Sequence, residues 1–125
     1  MKDYQATVVN CTKELTAKER IAIKDTSNAT KLDSVVEVGE KFNIDVDYVA
    51  TIEVHNSLAE NQDYTIFVVV DKTGEKYITG SQSFMTSYYN IMSEMENESE
   101  PWTIDVYKVE SKNYKGRYFL TCSIA

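Results

Sequence analysis

Residues 64–95 read YTIFVVVDKTGEKYITGSQSFMTSYYNIMSEM, and the order of elements in this stretch decides the fold. Tyr64–Val70 is dense in β-branched and aromatic side chains and predicts a strand, and Glu75–Gly80 predicts a second one. Asp71-Lys-Thr-Gly74 between them is a short Gly-containing link, so the two strands should form a hairpin. The pattern then changes period. Phe84, Tyr88, Ile91 and Met95 follow the i, i+4, i+7, i+11 spacing of one apolar helical face, which predicts a helix over Ser81–Met95 capped by Ser81 or Ser83. Glu96-Asn-Glu-Ser-Glu-Pro101 stops it with acids and a proline.

Working outward, Val46–Val54 predicts a strand before this block. Trp102–Val109 and Arg117–Ile124 predict two after it, linked by Ser111-Lys-Asn-Tyr-Lys-Gly116. From residue 46 the order is strand, strand, strand, helix, strand, strand, the element order of the OB-fold. The expected fold is therefore mainly β, a β-rich α+β arrangement: an OB-fold-like five-stranded barrel over 46–125 with a helix between strands 3 and 4. Residues 1–45 would add an N-terminal extension of two strands, Tyr4–Asn10 and Glu19–Asp25, and a short helix around Thr30–Val38. In that helix Leu32, Val35 and Val36 would face inward, with Gly39 ending it. Thr16-Ala-Lys-Glu19 also reads as a capping box, which would open a helical turn in place of the second strand. A two-layer α+β sheet with the helix on one face competes with the barrel. Alternating strand–helix units are missing, which argues against a doubly wound sheet.

The 125 residues suit one domain, 1–125, and the composition of 42% hydrophobic, 26% charged, one Pro and four Gly excludes disordered and collagen-like chains. No apolar run approaches the roughly 18 residues of a membrane span, and MKDYQATVVN has no apolar signal core. A cytoplasmic protein with no membrane partner is expected, in the cytosol of whatever cell makes it. Cys11 and Cys122 lie in strand-like runs, where buried reduced thiols are the default.

The net charge of −7 argues against a duplex-DNA or membrane-surface binder, but it is unevenly spread. Residues 1–43 carry seven basic and seven acidic side chains. Residues 44–107 carry Lys72 and Lys76 against twelve acids, a balance of −10. Residues 108–125 carry Lys108, Lys112, Lys115 and Arg117 against Glu110, a balance of +3. Within this basic stretch Tyr114 and Tyr118 interleave with the cations. Single-stranded nucleic acid is bound by this combination, cations following phosphates and aromatic faces stacking on unpaired bases. A hairpin tip kept soluble by lysines carries the same residues.

In an OB-like barrel this segment is the loop between strands 4 and 5, which flanks the oligonucleotide site together with the loop between strands 1 and 2, here residues 55–63. Alternation with Ile66, Val68 and Val70 inward leaves Phe67 outward, and an inward Ile78 leaves Tyr77 outward. Phe67 and Tyr77 would then offer stacking rings, unless the N-terminal elements cover that face.

Enzymatic readings find little support. His55 is the lone histidine, and no spacing identifies a nucleophile or an orienting acid for it. The two cysteines and one histidine make no zinc pattern. Asp45 and Asp47 could touch a cation together, but such pairs are common at strand starts. Glu94, Glu96, Glu98 and Glu100 read as a solvated helix end. Gly74 and Gly80 are isolated, so no phosphate-cradling loop exists. The sequons at Asn10, Asn28 and Asn97 carry no meaning without secretion. No catalytic residue, metal or cofactor is expected.

The stretch Asp71-Lys-Thr-Gly-Glu-Lys-Tyr-Ile-Thr-Gly-Ser, the helix after it, and Ser111-Lys-Asn-Tyr-Lys-Gly through Phe119-Leu-Thr-Cys-Ser-Ile resemble small single-stranded DNA-binding proteins of bacteriophages and mobile elements of Gram-positive bacteria. The resemblance covers about half the chain, mostly its second half. It implies an OB-like fold and a non-catalytic role in DNA replication or recombination. Bacterial single-stranded DNA-binding proteins end in a flexible acidic tail that recruits partners; here the chain ends in strand at Cys122-Ser-Ile-Ala125, so that role is not carried over. The expected partner is single-stranded DNA, with RNA open, and an exposed edge strand could pair two copies. The alternative is an acidic protein-binding inhibitor or DNA mimic that occupies the nucleic-acid site of a host protein. A small-molecule binder using the Tyr-rich face lacks a convergent polar set.

Overall fold

The computed structural model describes residues 4–12, 14–25, 28–56, 63–98 and 101–125. In chain order the elements are β1 (Tyr4–Cys11), α1 (Ala17–Lys24), β2 (Thr30–Lys31), α2 (Leu32–Val35), β3 (Phe42–Ile44), β4 (Val46–Asn56), β5 (Asp63–Asp71), β6 (Lys76–Thr79), α3 (Gln82–Met95), β7 (Ile104–Glu110) and β8 (Tyr118–Ile124). The protein is mainly β, as its sequence predicts. Its strands fall into a five-stranded sheet ordered β1-β4-β5-β6-β2 and a three-stranded sheet ordered β3-β7-β8, with no closed barrel among the described residues. The chain forms two compact units, Met1–Thr30 with Asp47–Gly80 and Lys31–Val46 with Ser81–Ala125. They interleave along the sequence rather than dividing once at residue 46.

In the first unit, β4 and β5 supply Ala50, Ile52, Val54, Val68 and Val70 to a core completed by Leu15 and Ile23. β1 pairs antiparallel with β4, and the register shifts between Val8 and Asn10. The extra residue, Val9, changes the side-chain parity, so that Ala6 and Val8 before it and Cys11 after it all pack against the same core.

The predicted strand at Glu19–Asp25 is instead helix α1. Its capping box is complete: the Glu19 amide donates to Thr16 Oγ1 at 3.2 Å and the Thr16 amide to Glu19 Oε1 at 3.0 Å. A strand would have put Ile21 and Ile23 on one face; the helix turns them apart, burying Ile23 and exposing Ile21. Lys76 Nζ closes the other end, donating to the carbonyls of Ala22 at 3.0 Å and Asp25 at 2.9 Å, where the helix dipole favours a cation.

The β5–β6 hairpin has the predicted antiparallel pairing, with Val68 opposite Ile78 and Val69 opposite Tyr77. Asp71 organises its turn, the carboxylate accepting from the Thr73 amide at 2.9 Å and the Glu75 amide at 3.0 Å. Gly74 sits at φ 96°, where its Cβ-free backbone is needed, and nothing within 4 Å would meet an added Cβ. Gly74→Ala is therefore expected to cost about 1–2 kcal/mol from left-handed backbone strain alone. Urea denaturation checks this, with Gly80→Ala as the milder comparison, since its Cβ would meet Thr65 O only at 3.9 Å.

In the second unit, β7 and β8 pair antiparallel as expected, with Val106 opposite Cys122 and Lys108 opposite Leu120. α3 begins at the predicted cap, the Phe84 amide donating to Ser81 Oγ at 3.2 Å. It buries Phe84, Met85 and Tyr88. Strand β8 lies at a sheet edge, and α3 serves that edge: Ser83 Oγ donates to the Leu120 carbonyl at 2.8 Å, and Ser87 and Thr121 share a 2.6 Å hydroxyl contact. The helix predicted around Thr30–Val38 shrinks to α2, because β2 takes Thr30 and Lys31 and the helix is capped at Val36. Gly39 does not end it but occupies the following turn at φ 88°. Leu32 and Val36 are buried while Val35 is only half-buried. The sequence reading missed β3, whose three residues are too short to show a period and are held by pairing with β7.

Both cysteines are free thiols, Cys122 buried and Cys11 half-buried. Burial pushes the Cys122 thiol up from 9.0 to about 12. Burial foremost, then Cys122 and Tyr89, also raises the Tyr88 phenol. Both groups stay neutral longer in the folded chain than in the unfolded one. Their stability contribution is thus complete below the unfolded thiol's pKa and is lost as pH rises. Unfolding free energy should fall between pH 9 and about 12, by about 1.4 kcal/mol per pH unit for each group titrating only when unfolded. Urea midpoints across a pH series check this, and Cys122→Ala should make the decline shallower.

Candidate nucleic-acid interface

The basic tip is the outer end of the β7–β8 hairpin. In its last rungs Val109 stands opposite Phe119 and Glu110 opposite Tyr118. The turn closes with the Ser111 amide donating to the Arg117 carbonyl at 2.8 Å and the Arg117 amide to the Tyr114 carbonyl at 3.1 Å. Gly116, at φ 82°, lets the chain reverse, and its amide donates to Glu110 Oε2 at 3.2 Å. The single acid of the tip therefore supports the turn rather than only diluting its charge.

Lys112, Tyr114, Lys115 and Arg117 on this turn and Tyr118 at the start of β8 are all exposed, Tyr114 at 65% and Tyr118 at 46%. The Arg117 guanidinium lies over the Tyr114 ring, 6.0 Å from its centroid. Such a pair sets a cation against the face of an aromatic ring, the combination of groups found in single-strand binding sites.

Three other expected site residues are placed differently. Lys108 is half-buried, and its Nζ donates to the Asp33 carbonyl at 2.9 Å, so it ties α2 to β7 instead of reaching outward. Phe67 is only 5% exposed and offers no ring face to a base. The run Phe67–Val70 is buried throughout, so both faces of β5 are covered over these residues, although the strand opens on an exposed Asp63 and Thr65. Tyr77 is half-buried, its phenol raised by burial first and then by Asp71 and Glu75, two acids that would repel a phosphate backbone. Of the loop at 55–63, residues 57–62 lie outside the described residues.

Two features escaped the sequence reading. Phe119 is exposed beside Val109 at the base of the tip, a placement readable from the hairpin register but not from composition. His55 Nδ1 lies 2.7 Å from Asp63 Oδ1, an acidic neighbour that no spacing identified. The pair opens onto a cavity of about 410 Å³ also lined by Thr7, Glu53, Tyr64 and Thr65. Among the described residues no set of three or more His, Cys, Asp or Glu is placed to hold a metal ion, and Asp45 and Asp47 belong to none. No helix of the described residues is long and apolar enough to cross a membrane. In comparisons with known proteins, no family model, curated protein or solved structure matches the chain.

Proposed function

We propose that this protein is a non-enzymatic single-stranded DNA-binding module acting in replication or recombination of a bacteriophage or mobile element. One observation carries the reading: Lys112, Lys115 and Arg117 share an exposed, hydrogen-bonded turn with the accessible ring of Tyr114, and the exposed Tyr118 follows at the start of β8. In this reading the element order from residue 46 is an OB-like one, and residues 111–117 take the place of the loop between its fourth and fifth strands. The acids of residues 44–107 repel the phosphate backbone and confine it to the tip. The test is a fluorescence titration of the purified protein with oligo-dT, oligo-rU and a matched duplex at several salt concentrations. Salt-sensitive binding to the single strands in preference to duplex is expected, and failure to bind oligo-dT at low salt overturns the proposal.

A second reading, an acidic inhibitor that mimics DNA toward a host protein, is favoured by the end of α3. Glu94, Glu96 and Glu98 are exposed there, and the last turn carries no basic residue. It moves ahead if oligonucleotides fail to bind.

A further inference from the structure

The outer end of the β7–β8 hairpin is aromatic on both faces. Successive strand residues point to opposite sides, so Tyr118 and Phe119 stand back to back, and both are exposed. Phe119 faces across the ladder to Val109, which is 37% exposed, and Tyr118 to Glu110. A hairpin lying flat on a core exposes one face. Here both sides are open at Tyr118 and Phe119, and burial resumes at Leu120. The turn beyond is held by its own hydrogen bonds, and it places Lys112, Lys115 and Arg117 where the two faces meet.

Given single-strand binding by this tip, we infer that it is a wedge for the junction at which two unpaired strands diverge from a duplex. One strand lies against the Phe119 and Val109 face and the other against the Tyr118 face. One exposed face is enough to hold one strand; a ribbon open on both sides is suited to two. At a fork the phosphates of both strands converge, and the cations of the turn stand where that charge is highest. The first unpaired base of each strand has lost its stacking partner, and an aromatic ring replaces it. Glu110 on the Tyr118 face and three cations at the apex oppose insertion of the same end into lipid, since charged side chains are costly in hydrocarbon.

The test uses the whole protein and four labelled probes: a short duplex with two oligo-dT tails, the same duplex with one tail, free oligo-dT and blunt duplex. The two-tailed fork is expected to bind at least about fivefold more tightly than the one-tailed duplex, the lower end of what one stacked base contributes. Phe119→Ala should abolish that preference, lowering fork affinity far more than free oligo-dT affinity, and Phe119→Tyr should retain it. Circular dichroism and melting of both variants verify that they are folded. Equal affinity for all tailed probes and free oligo-dT overturns the wedge and leaves single-strand binding standing. A fork preference that survives Phe119→Ala overturns the assignment to this face. Failure to bind any oligonucleotide removes the single-strand reading itself. Sedimentation with phosphatidylserine vesicles that Phe119→Ala abolishes, without a fork preference, would assign the patch to a membrane and also overturn the wedge.

Discussion

Changing Lys112, Lys115 and Arg117 together to Gln is expected to weaken oligo-dT binding on the order of 10²-fold at low salt, and to do so for every base sequence alike. All three side chains are exposed on the tip, and charged contacts to phosphates act by releasing counterions rather than by reading bases. The magnitude of the log–log salt slope should fall by about 2, at about 0.7 per lost contact on a single strand. Tyr114→Ala should behave differently, costing about 1–3 kcal/mol of binding where a base stacks while leaving the slope nearly unchanged. Because Arg117 lies over the Tyr114 ring, the two changes are not independent. The single variant Arg117→Gln should lose some stacking along with its phosphate contact, and a double-mutant cycle with Tyr114→Ala measures that coupling. If the triple variant binds oligo-dT as tightly as the parent at low salt, the tip is a solubilising turn and the acidic-inhibitor reading takes over.

The largest expected loss of stability is at Tyr88. This ring is fully buried in α3, 6.5 Å from the Phe84 ring and 6.4 Å from that of Trp102. Tyr88→Ala should destabilise the fold by about 3–5 kcal/mol, through lost transfer free energy and the cavity left behind. The hydroxyl matters far less, since its bond is a long contact to Met92 Sδ at 3.9 Å. Tyr88→Phe should therefore remain close to the parent. Trp102 is the one tryptophan of the chain, so its emission follows unfolding directly. A urea midpoint for Tyr88→Ala indistinguishable from that of Tyr88→Phe would contradict this account of the second unit's core.

What the sequence determined by itself is what neighbouring residues settle between them. The β5–β6 turn is organised by Asp71 acting on Thr73 and Glu75 and by Gly74 at positive φ, all within five residues. Helix α3 follows from a 3.6-residue apolar period and a serine cap, and the basic–aromatic composition of residues 108–118 is visible without any fold. The capping box at Thr16 was legible as well. Set against the strand-like Ile21 and Ile23, it was decided only when packing drew Ile23 alone into the core.

Tertiary structure decided what depends on distant parts of the chain. Lys108 is withdrawn from the tip by the carbonyl of Asp33, 75 residues away. Alternation could not place Phe67, because it shares a face with the exposed Thr65 while the run Phe67–Val70 is covered on both sides. Phe119 became a candidate only once its register opposite Val109 and its exposure were known. The division of the strands between two sheets lies in long-range pairings such as β1 with β4 and β3 with β7. Turn chemistry and helical period are short-range energies written into adjacent residues. Burial and strand partnership are set by which surfaces meet when the whole chain has collapsed, and no window of sequence contains them.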